Sequence, residues 1–365
     1  MTIEENGTQQ CNAIAMASGN TYNENCHQQT LIMEGSLPLF DDIKLESNLT
    51  IADYGCSQGG NSIPVVNRIL SRVPSGATVS LVFEDLPSNE YTSLIKLLPR
   101  LFGSYSSLKL YPSLVPKSFY ESVVPSGSVD LGYTLSTIHW LKKMPLPKPP
   151  TETVAEYYDK RDSRNSAAAK EDLRDFLTLR GQEIKSGGHL VIACFGSFTK
   201  EEIAHYKDAL ILRHRVLFQG METLANEGKL PLKVMERINV PIYDRSEKEL
   251  FSGIDELKDT WVVDKYYRKM VHHPAYYKFL KACEDAGQNE SEKIKAAKEY
   301  AGTLIDWLIA VFGDMILGWW RESGVEEAAI DGLHQEFLIR AKDLLWKEGP
   351  GGAEIPIMYT RLKRV

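Results

Sequence analysis

Between residues 49 and 196, short apolar runs alternate with amphipathic segments, and this alternation leaves few folds open. The runs are LTIADYG (49–55), TVSLVFEDLP (78–87), SVDLGYTLS (128–136) and GGHLVIACFG (187–196). Between them lie NSIPVVNRILSRV (61–73) and TSLIKLLPRLF (92–102), whose apolar residues recur near the 3.6 period of a helix. Strand, helix, strand at this spacing predicts an α/β fold with a parallel, doubly wound sheet and helices on both faces.

After position 200 the pattern becomes largely helical with charged faces, and IPIMYTRLKRV (355–365) reads as a returning strand. The expected organisation is an N-terminal lid segment (1–35), an α/β core (36–200), a mainly helical cap (201–346) and a C-terminal strand rejoining the core sheet (347–365). MPLPKPPTET (144–153) is a loop, because its prolines remove backbone donors.

With 42 Lys and Arg against 49 Asp and Glu, the net charge is −7, so no basic field attracts nucleic acid or an anionic membrane. The five cysteines are an odd number without C-x-x-C spacing and are expected as free thiols in a reducing compartment. The start, MTIEENGTQQCN, is not a signal peptide, and the apolar stretch Trp307–Trp320 is interrupted by Gly313 and Asp314. The chain is therefore expected to be soluble and cytoplasmic.

IADYGCSQGGNS joins the first strand to the first helix, where glycines let a ligand approach backbone N–H groups. It is either a tight turn or a cofactor loop. A dinucleotide fingerprint, G-x-G-x-x-G, fails here: counted from Gly55, the middle glycine falls on Ser57, whose side chain crowds a pyrophosphate. A nucleoside ligand without phosphates, such as S-adenosylmethionine, fits better. The second strand ends in Glu84-Asp85, and a carboxylate at that point can accept from both ribose hydroxyls.

Further segments make the chain resemble the SABATH family of carboxyl methyltransferases, whose members methylate small acids such as salicylate, jasmonate and benzoate. The family's Y-x-x-N-S-x-x-Q is matched by YNENCHQQ (22–29), with Cys26 in the serine position. D-L-G-C-S-S-G-P-N-T is matched by Asp53–Ser62, N-D-L-P-x-N-D-F by Glu84–Tyr91, G-S-F-Y by Lys117–Tyr120, and H-W-L by His139-Trp140-Leu141. Weaker echoes are Ile238–Pro241 and Phe312-Gly313.

The resemblance implies a Rossmann-like methyltransferase sheet with a helical cap, S-adenosylmethionine as cofactor, a small carboxylic acid as substrate and a homodimer. It places Tyr22, Cys26, Asp53, Gly55, Cys56, Asn61, Asp85, Leu86, Ser118, Phe119 and Ser136 around the cofactor. It places Gln29 and Trp140 on the substrate carboxylate with His139 beside them, and Tyr300 and Thr303 in the substrate pocket. Two departures bear on which acid is taken: a lysine of some members is absent from Ala15–Gly19, and the arginine of an M-R-A segment is Ala301. No metal site is placed.

The residue types suit methyl transfer to a carboxylate. A carboxylic acid with an ordinary pKa near 4 is already ionised at pH 7, so the site must position it rather than deprotonate it. Gln29 and Trp140 offer uncharged N–H donors for that task. Adjacent side chains on an extended segment point to opposite sides, so only one of His139 and Trp140 faces the acid fully. Leu210, His214, Leu217, Met221 and Leu224 form an apolar stripe at helical spacing. His214 is then either a hydrogen-bonded core residue or a side chain reaching the acyl pocket. Trp307, Trp319 and Trp320 are expected in the core. The rival readings are an N-methyltransferase of a heterocycle, a cofactor-binding protein without methyl transfer and an NAD-linked oxidoreductase.

Overall fold

The computed structural model describes residues 27–205, 215–349 and 351–365. Seven strands form one sheet: β1 (Asn48–Tyr54), β2 (Thr78–Asp85), β3 (Lys109–Pro116), β4 (Val129–Leu135), β5 (Ile184–Phe195), β6 (Trp261–Val271) and β7 (Ile355–Arg364), in the order β3-β2-β1-β4-β5-β7-β6. The first five are parallel, while β7 runs antiparallel to both β5 and β6. The sheet is thus mixed rather than wholly parallel. The order of the parallel strands reverses beside β1, so β1 and β4 diverge to opposite halves and leave a crevice at their C-terminal ends.

The central strands are continuous apolar runs because helices cover both faces. On one face Ile32, Val65, Val66, Ile69, Leu94, Leu98 and Leu101 pack over Ile51, Leu81 and Leu131, carried by helices His27–Ser36, Ser62–Leu70 and Tyr91–Ser104. On the other, Leu173, Phe176, Leu177, Leu250 and Ile254 cover Ala52, Tyr54 and Ile192. A third cluster forms the cap, where helices Arg215–Asn226, Glu290–Glu322 and Glu327–Glu348 bury Leu217, Met221, Leu304, Leu308, Phe312, Trp320 and Phe337.

The helix Val154–Glu183 belongs to both halves. Its first turns contribute Val154 and Tyr157 to the cap, and its last turns contribute Leu173, Phe176 and Leu177 to the sheet. A capping box fixes its start: Thr153 Oγ1 accepts from Glu156 N, and Glu156 accepts from Thr153 N.

The region expected as a helical cap contains one strand. β6 belongs to the sheet, and β7 inserts between it and β5 instead of forming the edge. Edge strands carry charge rather than an apolar run, and β6 does so with Asp264, Lys265, Arg268 and Lys269. Helix Glu290–Glu322 is, by length and composition alone, apolar enough to cross a membrane, contrary to the shorter stretch read from sequence. Its apolar face is packed into the cap, which accounts for the composition without a bilayer.

Candidate active site

At the C-terminal ends of β1, β2 and β4 lies a cavity of about 440 Å³. Its floor is the turn after β1. Gly55 N and Cys56 N both donate to Glu84 O at 2.9 Å, which ties this turn to the end of β2. Gly55 has φ +90, and a Cβ there would lie 2.4 Å from Thr137 Cγ2, so the turn requires glycine. Ser57 holds the left-handed region at φ 48 without being glycine. Its amide is thereby directed to Asp85 Oδ2 at 2.7 Å, while Asn89 Nδ2 donates to Ser57 O at 2.8 Å. Strain of about 1–3 kcal/mol in such a residue persists only where its surroundings fix it.

Asp85 accepts a second amide, Leu86 N, at 2.8 Å through Oδ1. Each oxygen keeps a lone pair for a further donor, so the carboxylate is pre-aimed rather than used up. Burial pushes Asp85 up to about 6 despite the Ser57 and Leu86 amides, and burial lifts Asp53 to about 7. Two buried atoms of the cavity lining, Asp53 Oδ2 and Ser57 Oγ, have no hydrogen-bond partner among the described residues. Polar atoms buried in this way call for a ligand or water.

The opposite wall is Ser118–Glu121. Behind it, Arg180 donates to Phe119 O at 2.9 Å and Glu121 O at 2.8 Å, and Glu183 accepts from Val123 N at 2.6 Å. Tyr54 OH donates to Glu183 Oε2 at 3.0 Å, and its ring lies 4.3 Å from the Arg180 guanidinium. Two ends of helix and strand thus clamp the loop by its backbone. Glu84 is buried close by and is raised well above the usual carboxylate range by burial, then by Asp85, with Arg180 opposing.

The lining also carries the apolar side chains Met33, Leu135, Leu141, Met144 and Pro241 with Trp140, next to Thr137 and Lys142. Trp140 N donates to Thr137 O at 3.0 Å, and Trp140 O accepts from Tyr120 OH at 2.7 Å, which fixes the backbone that carries the indole. Trp140 also pairs with Ile242 in an isolated antiparallel bridge.

A carboxylate at the end of β2, a left-handed turn instead of a diphosphate loop and apolar side chains in the lining suit a nucleoside cofactor beside an organic substrate. Residues 12–317 match the family model for SAM-dependent carboxyl methyltransferases. The chain belongs to this family. The carboxyl methyltransferase is 28% identical to Methyltransferase FUS9 of Gibberella fujikuroi over 97% of this chain and 98% of that one. It is 32% identical to Methyltransferase LUC1 of a Fusarium species over 72% and 69%, and 27% identical to Gibberellic acid methyltransferase 2 of Arabidopsis thaliana over 64% and 68%. A solved loganic acid methyltransferase with SAH shares its fold, with TM-score 0.67, 21% identity and coverage of 96% and 98%. The carboxyl methyltransferase uses S-adenosylmethionine as its cofactor.

Of the residues expected from sequence, Asp53, Gly55, Cys56, Asn61, Asp85, Leu86, Ser118, Phe119, Ser136 and Trp140 all line this one cavity. Ser136, like Ser57, has a positive φ, of 63. Tyr22, Cys26 and His214 lie outside the described residues. Gln29 does not itself line the cavity: it is buried on helix His27–Ser36, one turn before the lining residue Met33, and its Oε1 accepts from Trp307 Nε1 at 3.2 Å.

Three expected residues are placed elsewhere. His139 is not among the cavity's lining residues; in the turn Thr137–Trp140 its ring stacks on Phe195 at 3.9 Å and lies 5.5 Å from the Trp140 ring. Burial pushes its pKa down to about 3, so it is neutral. Tyr300 is buried among aromatics, stacked on Phe279 at 5.0 Å. Thr303 is exposed, with its hydroxyl donating to Glu299 O at 3.1 Å, because it sits on the outer face of helix Glu290–Glu322.

Sequence reasoning missed Arg180, Glu183 and Thr137, and it matched Tyr120 to a motif without giving it a role. Their roles run through backbone atoms of other segments and leave no local pattern. The one available signal was the Arg and Glu pair three apart at the end of a helix, which reads as an ordinary surface pair until its burial is known.

Proposed function

We propose that the cavity holds S-adenosylmethionine with its ribose on Asp85 and its adenosine under Ser118–Phe119, and that Gln29 and Trp140 hold the carboxylate of a small acid. The observation that carries this reading is the single chamber lined by both Asp85 and Trp140. Asp85 offers acceptor lone pairs for two hydroxyls, and the partnerless Asp53 Oδ2 and Ser57 Oγ offer further sites to polar groups of the cofactor.

When bound, the cofactor supplies a sulfonium methyl group open to in-line attack. The chain's own task is then orientation. Trp140 presents a neutral donor, which fixes a carboxylate oxygen without neutralising it as a tight ammonium pair does. Met33, Leu135, Leu141, Met144 and Pro241 in the lining give the acid's organic part apolar surface to pack on. Neutral His139, outside the lining, is not needed as a base because the substrate is already ionised.

The reading extends to a homodimer in a reducing, cytoplasmic setting, with no nucleic acid or membrane partner. The family resemblance supports the dimer, and the free thiols Cys56, Cys194 and Cys283 support the compartment. Light scattering of the purified chain and fractionation of the expressing cells test these two points. The function itself is tested by radiolabelled methyl transfer across aromatic, aliphatic and dicarboxylic acids, with mass spectrometry of the products. Methyl esters are expected. An N-methylated product, or cofactor binding with no ester from any acid, overturns it.

A further inference from the structure

Gln29 and Trp307 are separated by 278 residues in sequence and meet through one hydrogen bond, Trp307 Nε1 to Gln29 Oε1 at 3.2 Å. A glutamine amide has two ends of nearly equal shape and opposite polarity. Which end faces which neighbour is therefore decided by hydrogen bonding alone. An indole nitrogen only donates, so the neighbour it meets must be the carbonyl oxygen.

This assignment leaves the NH₂ end turned away from Trp307. Among the described residues Gln29 Nε2 makes no hydrogen bond, and it is not sealed off like the buried partnerless atoms elsewhere in the fold. Met33, one turn later on the same helix face, lines the cavity. The donor end of Gln29 is thus the end left for a ligand. A carboxylate only accepts, and a carbonyl oxygen turned toward it repels it.

We propose that Trp307 is a positioning residue: its indole N–H locks the amide orientation that lets Gln29 donate to the substrate carboxylate. The inference rests on the reading of Gln29 as part of the carboxylate clamp. Trp307 itself is held by packing, bordering both the cap cluster and the sheet cluster, with His273 at 5.5 Å. His273 is fixed in turn by capping helix Pro274–Asp285, where its Nδ1 accepts from Ala275 N at 3.3 Å.

The test is a double-mutant cycle of Gln29→Leu and Trp307→Phe, with rates normalised to the fraction of protein that binds S-adenosylhomocysteine by calorimetry. Trp307→Phe keeps an aromatic ring and deletes the donor. It is expected to lower kcat/KM for the acid by about 5- to 10-fold, mainly through KM, with unchanged S-adenosylhomocysteine affinity. In the Gln29→Leu background the same change is expected to have no further effect, and Trp307→His, which restores a ring N–H, is expected to recover part of the loss. If Gln29→Leu leaves the rate at the parental value, the clamp reading fails and the proposal falls with it. If Gln29→Leu impairs the enzyme but Trp307→Phe does not, or the two losses multiply, the clamp stands and the positioning role is overturned.

Discussion

Arg180 and Glu183 meet at 3.1 Å behind the Ser118–Glu121 wall, and at 0% and 1% exposure they form an ion pair sealed from water. Between them they satisfy backbone groups of Phe119, Glu121 and Val123. A buried pair of this kind adds little as an isolated pair, but removing one partner strands the other charge at a cost of about 3–5 kcal/mol. Arg180→Met is therefore expected to lower the denaturant midpoint substantially. Because the loop it anchors lines the cavity, it should also weaken S-adenosylhomocysteine binding in the protein that remains folded. Chemical denaturation and calorimetry on the same sample check both effects.

Asp85→Ala removes the acceptor for the proposed ribose hydroxyls and also frees the Ser57 amide. Charge-assisted bonds contribute roughly 1.5–3 kcal/mol each, so a loss of at least about tenfold in S-adenosylhomocysteine affinity is expected. An unchanged dissociation constant by calorimetry removes Asp85 from the site.

The same carboxylate gives a pH dependence of binding. Burial holds Asp85 up at about 6, and hydroxyl donors favour its ionised form. Cofactor affinity is therefore expected to be full at pH 8 and about tenfold weaker at pH 5, one unit below the folded value. Asp85→Asn should bind weakly with a flatter profile over this range.

Stability of the ligand-free protein should run the other way. Asp53 and Asp85 have folded values raised to about 7 and about 6, above the usual 3.8. Between the unfolded and folded values the native state holds more protons, so their contribution to stability is fully present below about pH 3.8 and declines as pH rises to about 7. Asp53→Asn should remove part of that decline, read as a smaller change in denaturant midpoint between pH 5 and pH 8.

Trp140→Phe keeps the ring and deletes the indole donor in the cavity lining. Turnover of the acid, read as kcat/KM, is expected to fall by about 5- to 10-fold while S-adenosylhomocysteine affinity is retained. Parental turnover in this variant moves the clamp elsewhere.

The strands legible in the sequence were those buried on both faces, β1, β2, β4 and β5, along with the apolar β7. β3 and β6 were missed for a common reason: both are edge strands. β3 is mostly exposed and contains Pro112, and β6 mixes tyrosines with charges, so neither presents an apolar run or a clean alternation. The cofactor loop was legible because its residues are contiguous around the turns after β1 and β2. Thr303, placed in the pocket by resemblance, lies on the exposed face of its helix, and the bond between Gln29 and Trp307 joins elements that only the fold brings together.

The helix Val154–Glu183 is a single element of 30 residues, about 45 Å long, whose two ends belong to different hydrophobic clusters. Fraying it from either end strips apolar surface from one cluster and unseats the other through the same backbone. Cap and sheet are therefore expected to melt as one cooperative unit, with amides in the cap exchanging by the same global opening as those in β4 and β5, instead of the cap loosening first as an independent subdomain.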